Sequence, residues 1–129
     1  MDNFKANLAD LQPSQLYISA EKLREVERSL GSDELGTIDP LPLKGLGGRT
    51  VLTDGHTRAF AAYRQGWECV LVYWDTDELD WEAYEICVRW CLEEGIHSVA
   101  GGGHQAFRPP FPLRKHHLFL PRIVQPGLP

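Results

Sequence analysis

The sequence predicts a small α+β domain with a mixed or antiparallel sheet and three helices. Three observations carry that prediction. Helical spacing of apolar residues recurs at 20–30, 60–65 and 80–94. Short extended or apolar runs stand between them at 38–43, 50–53 and 69–74. Glycines at 31, 66 and 95 close each helical stretch. A chain of 129 residues that is 43% apolar is long enough for one domain with one core.

Residues 1–12 are mixed in polarity and read as a loose leader, without the basic-then-apolar order of a signal peptide. Residues 13–18 read as an extended lead-in. Ser19 is an N-cap for a helix in which Leu23, Val26 and Leu30 share a face, and Glu21 lies near the positive helix start. Residues 32–37 form a polar loop. Ile38 to Leu43 contains Pro40 and Pro42, which suits an edge strand or extended arm, because proline cannot donate to a ladder. Lys44 to Arg49 is a glycine-rich hairpin turn leading into the strand Thr50–Thr53. Cys69 to Trp74 is continuously apolar and reads as a buried strand. The acidic loop 75–78 follows, with Asp80 as N-cap of a last amphipathic helix faced by Trp81, Tyr84, Val88, Cys91 and Leu92. The four tryptophans read as core rather than as base-stacking platforms. The cluster Asp75, Asp77, Glu78 and Asp80 reads as a solvated loop with a helix cap rather than a metal site.

Charge divides the chain. All eighteen acids lie between Asp2 and Glu94, where nine Lys or Arg leave residues 1–100 at −9; residues 101–129 hold four basic residues and no acid. An acidic body is a poor partner for nucleic acid, whose binding rests on phosphate neutralisation. Residues 99–129 form a Gly/Pro-rich basic tail with six of the nine prolines, read as disordered or as a frameshifted end. No apolar run reaches the length of a membrane span, and a cytoplasmic location is expected. Cys69, Cys87 and Cys91 include no C-x-x-C, and an odd count without secretory features reads as buried thiols.

The chemistry concentrates in Asp54-Gly55-His56-Thr57-Arg58-Ala59, where a strand feeds a helix. A helix start offers free N–H groups and a partial positive charge to an anion. Gly55 would allow close backbone approach, Thr57 and the N–H groups of 56–58 would bind phosphate oxygens, and Arg58 would clamp them with its fork of donors. His56 would donate to phosphate or act as acid or base, and Asp54 would hold Mg²⁺ through water or activate a hydroxyl. Structural readings stand beside these: a turn glycine, a helix cap by Asp54 or Thr57, a hydrogen-bonded core histidine, and a surface ion pair for Arg58. The last is weakened by Ala62 at i+4.

Strand, DGHTRA, helix, apolar strand, acidic loop and helix together resemble the ParB N-terminal/sulfiredoxin-like superfamily over residues 11–98. The resemblance implies a nucleotide phosphate at the strand-to-helix turn, with ATP, ADP or CTP as ligand and Mg²⁺ as companion ion. Sulfiredoxins place a catalytic cysteine where this chain has His56, so sulfinic-acid reduction is not expected. Partition proteins read Gly-Glu-Arg-Arg, of which Gly55 and Arg58 match. The turn is nearest to that of free-serine kinases, Asp-Gly-His-His-Arg, with Thr57 in place of the second histidine. Their catalytic glutamate falls at Gln15, which cannot act as a carboxylate base, and Glu21 is the next carboxylate. The resemblance implies a nucleotide-binding domain that is either a phosphotransferase or NTPase acting on a small hydroxyl substrate, or a non-catalytic nucleotide sensor or protein-interaction domain. A DNA-binding or nuclease role is disfavoured. Oligomeric state is not legible.

Overall fold

The computed structural model describes residues 2–15, 18–30 and 38–100. In chain order the elements are β1 (Phe4–Asn7), a 3-10 turn (Leu8–Asp10), β2 (Gln12–Pro13), α1 (Ala20–Ser29), β3 (Leu41–Leu46), β4 (Arg49–Leu52), α2 (His56–Arg64), β5 (Cys69–Trp74) and α3 (Trp81–Glu93). The strands form one mixed sheet in the order β1-β5-β3-β4-β2. Pairs β1/β5 and β3/β4 are antiparallel, and β3/β5 and β2/β4 are parallel. The predicted α+β class is the class observed, with three α-helices among the described residues.

Residues 1–12 are not a loose leader where the structure describes them. Phe4 pairs with Val72 and Ala6 with Val70, and the Leu8 N–H donates to the Glu68 carbonyl at 2.8 Å. Leu8 and Leu11 are fully buried. At about 1.5–3 kcal/mol per buried aliphatic side chain, these two leucines fasten the segment to the core. The glycine expected to close α1 and the tail from Gly101 lie outside the described residues; α1 itself begins, as read, at Ser19, whose Oγ accepts the Lys22 N–H at 3.3 Å.

The prolines mislead about β3. It is the middle strand of the sheet, between β5 and β4. Pro42 is tolerated because it lies opposite Thr53, one step past the end of β4. The Thr53 N–H donates to the Pro42 carbonyl at 3.1 Å. The return bond, from an N–H that proline lacks, is replaced by the Tyr84 hydroxyl of α3, which donates to the Thr53 carbonyl at 3.0 Å. The hairpin that follows is a two-residue turn, with Leu46 opposite Arg49 and positive φ at both Gly47 and Gly48.

Leu41, Leu43 and Leu52 of the sheet meet Ala59 and Ala62 of α2 in the main core. Side chains alternate along β3, so Lys44 faces the other side, where its Nζ sits 4.9 Å over the Trp81 ring of α3. The helices α2 and α3 thus cover opposite faces. Helix α1 packs on α2 through Leu23, Phe60 and Ala61, reinforced by an Arg64–Glu27 ion pair at 3.0 Å. Strand β5 lies between β1 and β3, but only Val70 and Val72 are fully buried; Leu71 and Tyr73 are half-buried and Trp74 is 51% exposed. Of the four tryptophans, Trp67 is core and Trp74 is not.

Asp75 also departs from the expected solvated loop. It is buried, its Oδ2 accepting from the Thr53 hydroxyl and its Oδ1 from the Asp77 N–H, both at 2.9 Å. Asp80 caps α3 through the Ala83 N–H at 3.0 Å. Thr53 is therefore held by β3, by the loop after β5 and by α3, immediately before the chain turns into α2. Tyr84→Phe is expected to leave the Thr53 carbonyl unpaired in the interior, costing about 1–2 kcal/mol. Thermal unfolding should register this as a fall of roughly 5–10 °C; an unchanged midpoint would show that another donor serves that carbonyl.

Candidate functional site

The corner between β4 and α2 is built by Gly55. It is the N-cap of α2 with φ +76, in the left-handed region that favours glycine, and its carbonyl accepts the Ala59 N–H at 2.9 Å. As a glycine, this N-cap has no side chain to accept a first-turn N–H. Neither Asp54 nor Thr57 is the N-cap residue; Asp54 Oδ1 accepts the Gly55 N–H at 2.8 Å. The first turn of α2 presents backbone donors and the positive end of the helix at this corner. The Arg58 guanidinium folds back over Gly55, with Nη2 only 2.8 Å from where a Cβ on that glycine would sit. Its Nη1 makes a long contact, 3.4 Å, to the Asp39 carbonyl.

This corner forms one wall of a cleft of about 360 Å³. Asp54, Gly55, His56, Thr57 and Arg58 line it, and Gln15 adjoins them. The opposite wall is α1, which contributes Ser19, Lys22, Glu25 and Val26. Of the residues singled out in the sequence, Glu21 alone stands outside this lining: it is exposed in the first turn of α1. Lys22 and Glu25 were not singled out. They lie three apart on one helical face beginning at Ser19, which is visible in the sequence, but only the packing of Leu23 on Phe60 places that face above the start of α2.

His56 is the site residue whose surroundings differ most from the acid–base reading. It is 5% exposed, and its Nε2 accepts the Ser14 N–H at 3.0 Å. A backbone amide can only donate, so Nε2 is unprotonated and the neutral ring carries its proton on Nδ1. Among the described residues Nδ1 has no hydrogen-bond partner. Burial pushes the pKa down to about 3, against a lesser upward pull from the Leu52 carbonyl. A ring that stays neutral and is already bonded at its basic nitrogen is a poor general base and carries no charge for phosphate. Cys87 and Cys91 are also buried. Burial pushes the Cys87 thiol up to about 11, and burial with the neighbouring Cys87 pushes Cys91 upward too, so neither supplies a thiolate at neutral pH.

No protein-family model matches this sequence, and no curated protein matches it. Solved structures do. The C-terminally truncated chromosome-partitioning protein ParB from Caulobacter crescentus, complexed with CTP-gamma-S, superposes with a TM-score of 0.50 at 20% identity, over 72% of this chain and 54% of that one. Protein Atu1540 from Agrobacterium tumefaciens does so at 0.50 and 17%, over 71% of this chain and 49% of that one. The fold is ParB/sulfiredoxin-like. At such identities the likeness is one of fold, and the chain spans about half the length of these solved chains. Among the described residues no helix is long and apolar enough to cross a membrane.

Proposed function

We propose that the α1–α2 cleft binds the phosphates of a nucleotide, and that binding rather than turnover is its task. The observation that carries this reading is the start of α2, reached through a left-handed Gly55 and set in a cleft with Arg58 on one wall and Lys22 on the other. Helix dipole, backbone donors and two cations favour an anion there, and the guanidinium suits phosphate geometry. CTP leads ATP and ADP as the candidate, since the ParB of similar fold was solved with a CTP analogue. Among the described residues no three potential metal ligands cluster. Asp54 and Glu25 line the same cleft, and these two carboxylates would hold a Mg²⁺ ion. Such an ion would neutralise phosphate charge.

Binding is preferred to phosphotransfer because Gln15 is not a carboxylate and His56 is buried and neutral. The second reading, transfer to a small hydroxyl substrate, is kept alive by Glu25 and Asp54, either of which could accept a proton.

The test is thermal unfolding of the whole chain with CTP, ATP or ADP and Mg²⁺. At a hundredfold excess over Kd a ligand stabilises by about 2.7 kcal/mol, roughly 10 °C or more. Arg58→Ala is expected to weaken the effective nucleotide about 10- to 100-fold, the loss of a charge-assisted pair. If none of the three nucleotides shifts the midpoint, the proposal falls. Conversion of the bound nucleotide to one with a phosphate fewer, with the phosphoryl group recovered on a hydroxyl compound, would promote the phosphotransfer reading over the binding one.

A further inference from the structure

We propose that His56 is a positioning residue: by holding the Ser14 amide it fixes Gln15 in the cleft, and Gln15 is a ligand-contacting group. The inference rests on the nucleotide-binding reading above. Strand β2 pairs with β4 over only Gln12 and Pro13. Beyond Pro13 the chain leaves the sheet, and the next residue is held at both of its donors. The Ser14 N–H goes to His56 Nε2 at 3.0 Å, and the Ser14 hydroxyl to the Leu52 carbonyl at 2.7 Å. The 3.4 Å approach of the hydroxyl to the same ring nitrogen adds no second bond, since Nε2 has one lone pair and the amide occupies it. His56 thus extends the attachment of β2 by one residue, from the first position of α2, the helix whose start lines the cleft.

The residue so anchored is followed at once by Gln15, which lines the cleft beside Asp54 and Arg58. Its carboxamide offers a donor to a phosphate oxygen and an acceptor to a sugar hydroxyl or base N–H. Burial supports the arrangement, because a neutral ring keeps its acceptor across the physiological pH range. In this reading the histidine of the DGHTRA turn does its work from beneath the site: it joins the phosphate corner to the segment that carries the second contact.

The experiment measures the affinity of CTP and ATP, with Mg²⁺, by calorimetry on the full chain. His56→Gln puts an amide oxygen near the position of Nε2 and is expected to stay within about threefold of wild type. His56→Leu fills the space without an acceptor and is expected to weaken binding about tenfold or more. Gln15→Ala should weaken binding in the wild-type background and add little in the His56→Leu background, the non-additivity of coupled groups. Equal binding by wild type and His56→Leu overturns the proposal. So does equal loss in the Gln and Leu variants, or additive effects of Gln15→Ala and His56→Leu. If the Leu variant fails to fold, a loss of affinity in the Gln variant overturns the proposal, and the ring ¹⁵N signals of the wild type decide independently, where a protonated Nε2 overturns the anchor. A wild type that binds neither nucleotide defeats the proposed function and this inference together, whereas tight wild-type binding indifferent to His56 defeats this inference alone.

Discussion

Gly55→Ala is expected to lower the unfolding free energy by about 2–4 kcal/mol and to abolish nucleotide-induced stabilisation at the same time. Two costs add. At φ +76 any L side chain pays for the left-handed conformation, about 1–2 kcal/mol. A Cβ there would also stand 2.6 Å from Leu41 Cδ2, a fully buried atom of the central strand, and 2.8 Å from Arg58 Nη2. The arginine can swing away, and in doing so leaves the wall of the cleft. The leucine is packed between strands and α2 and yields only by disturbing the core. Gly48→Ala is the matched control. Its φ is +79, but a Cβ there meets nothing within 4 Å, so only the conformational cost of about 1–2 kcal/mol applies. Chemical denaturation of both variants separates the contact from the conformation. Equal losses in the two would mean that Leu41 adapts freely and that the close packing of the corner does not stabilise it.

The corner was the most legible part of the site, and the reason is physical. A strand period ending at Thr53, a glycine, and a helical period from Phe60 leave little choice but a strand–turn–helix, and the functional groups fall on the turn by arithmetic. Orientation is another matter. His56 and Thr57 are neighbours in a first helical turn, about 100° apart around the axis. Which of them faces inward is decided by the direction in which Gly55 releases the chain and by the presence of the Ser14 amide beneath it. Both are tertiary facts. The far wall of the cleft was likewise hidden, since Lys22 and Glu25 look like ordinary surface charges until α1 lies across the start of α2.

The fold shows the same division. Helices α1 and α3 were readable because their caps and their apolar faces agree: Ser19 and Asp80 each accept an amide from the first turn. Strand β1 was not readable, because Phe4-Lys5-Ala6-Asn7 has almost no burial of its own and exists by pairing with β5. Strand β3 was misplaced at the edge because proline counts against a central strand, a rule that fails only where the missing N–H has a substitute. Tyr84 supplies that substitute from forty-two residues further along the chain. No local pattern contains it.

Acidification gives the last large effect. In the folded chain burial holds the His56 pKa down at about 3, while in the unfolded chain it returns to its ordinary 6.5. Between these values the unfolded state binds a proton that the folded state refuses. Stability is therefore full above about pH 6.5 and is lost as pH falls below it, at up to about 1.4 kcal/mol per pH unit until the folded pKa is reached. From pH 7 to pH 5 the expected loss is about 2 kcal/mol. Most carboxylates titrate below that window, so it isolates histidine. His97 is exposed, which leaves His56 as the buried histidine among the described residues. Ligand-free urea unfolding at pH 7, 6 and 5 measures the slope, and His56→Gln, which cannot protonate there, should flatten it to under about 0.5 kcal/mol over the same range. A slope that persists unchanged in the Gln variant would place the titrating group elsewhere and leave His56 protonated in the folded chain. The Ser14 amide would then have lost its acceptor, so the same measurement bears on how the lead-in to Gln15 is held.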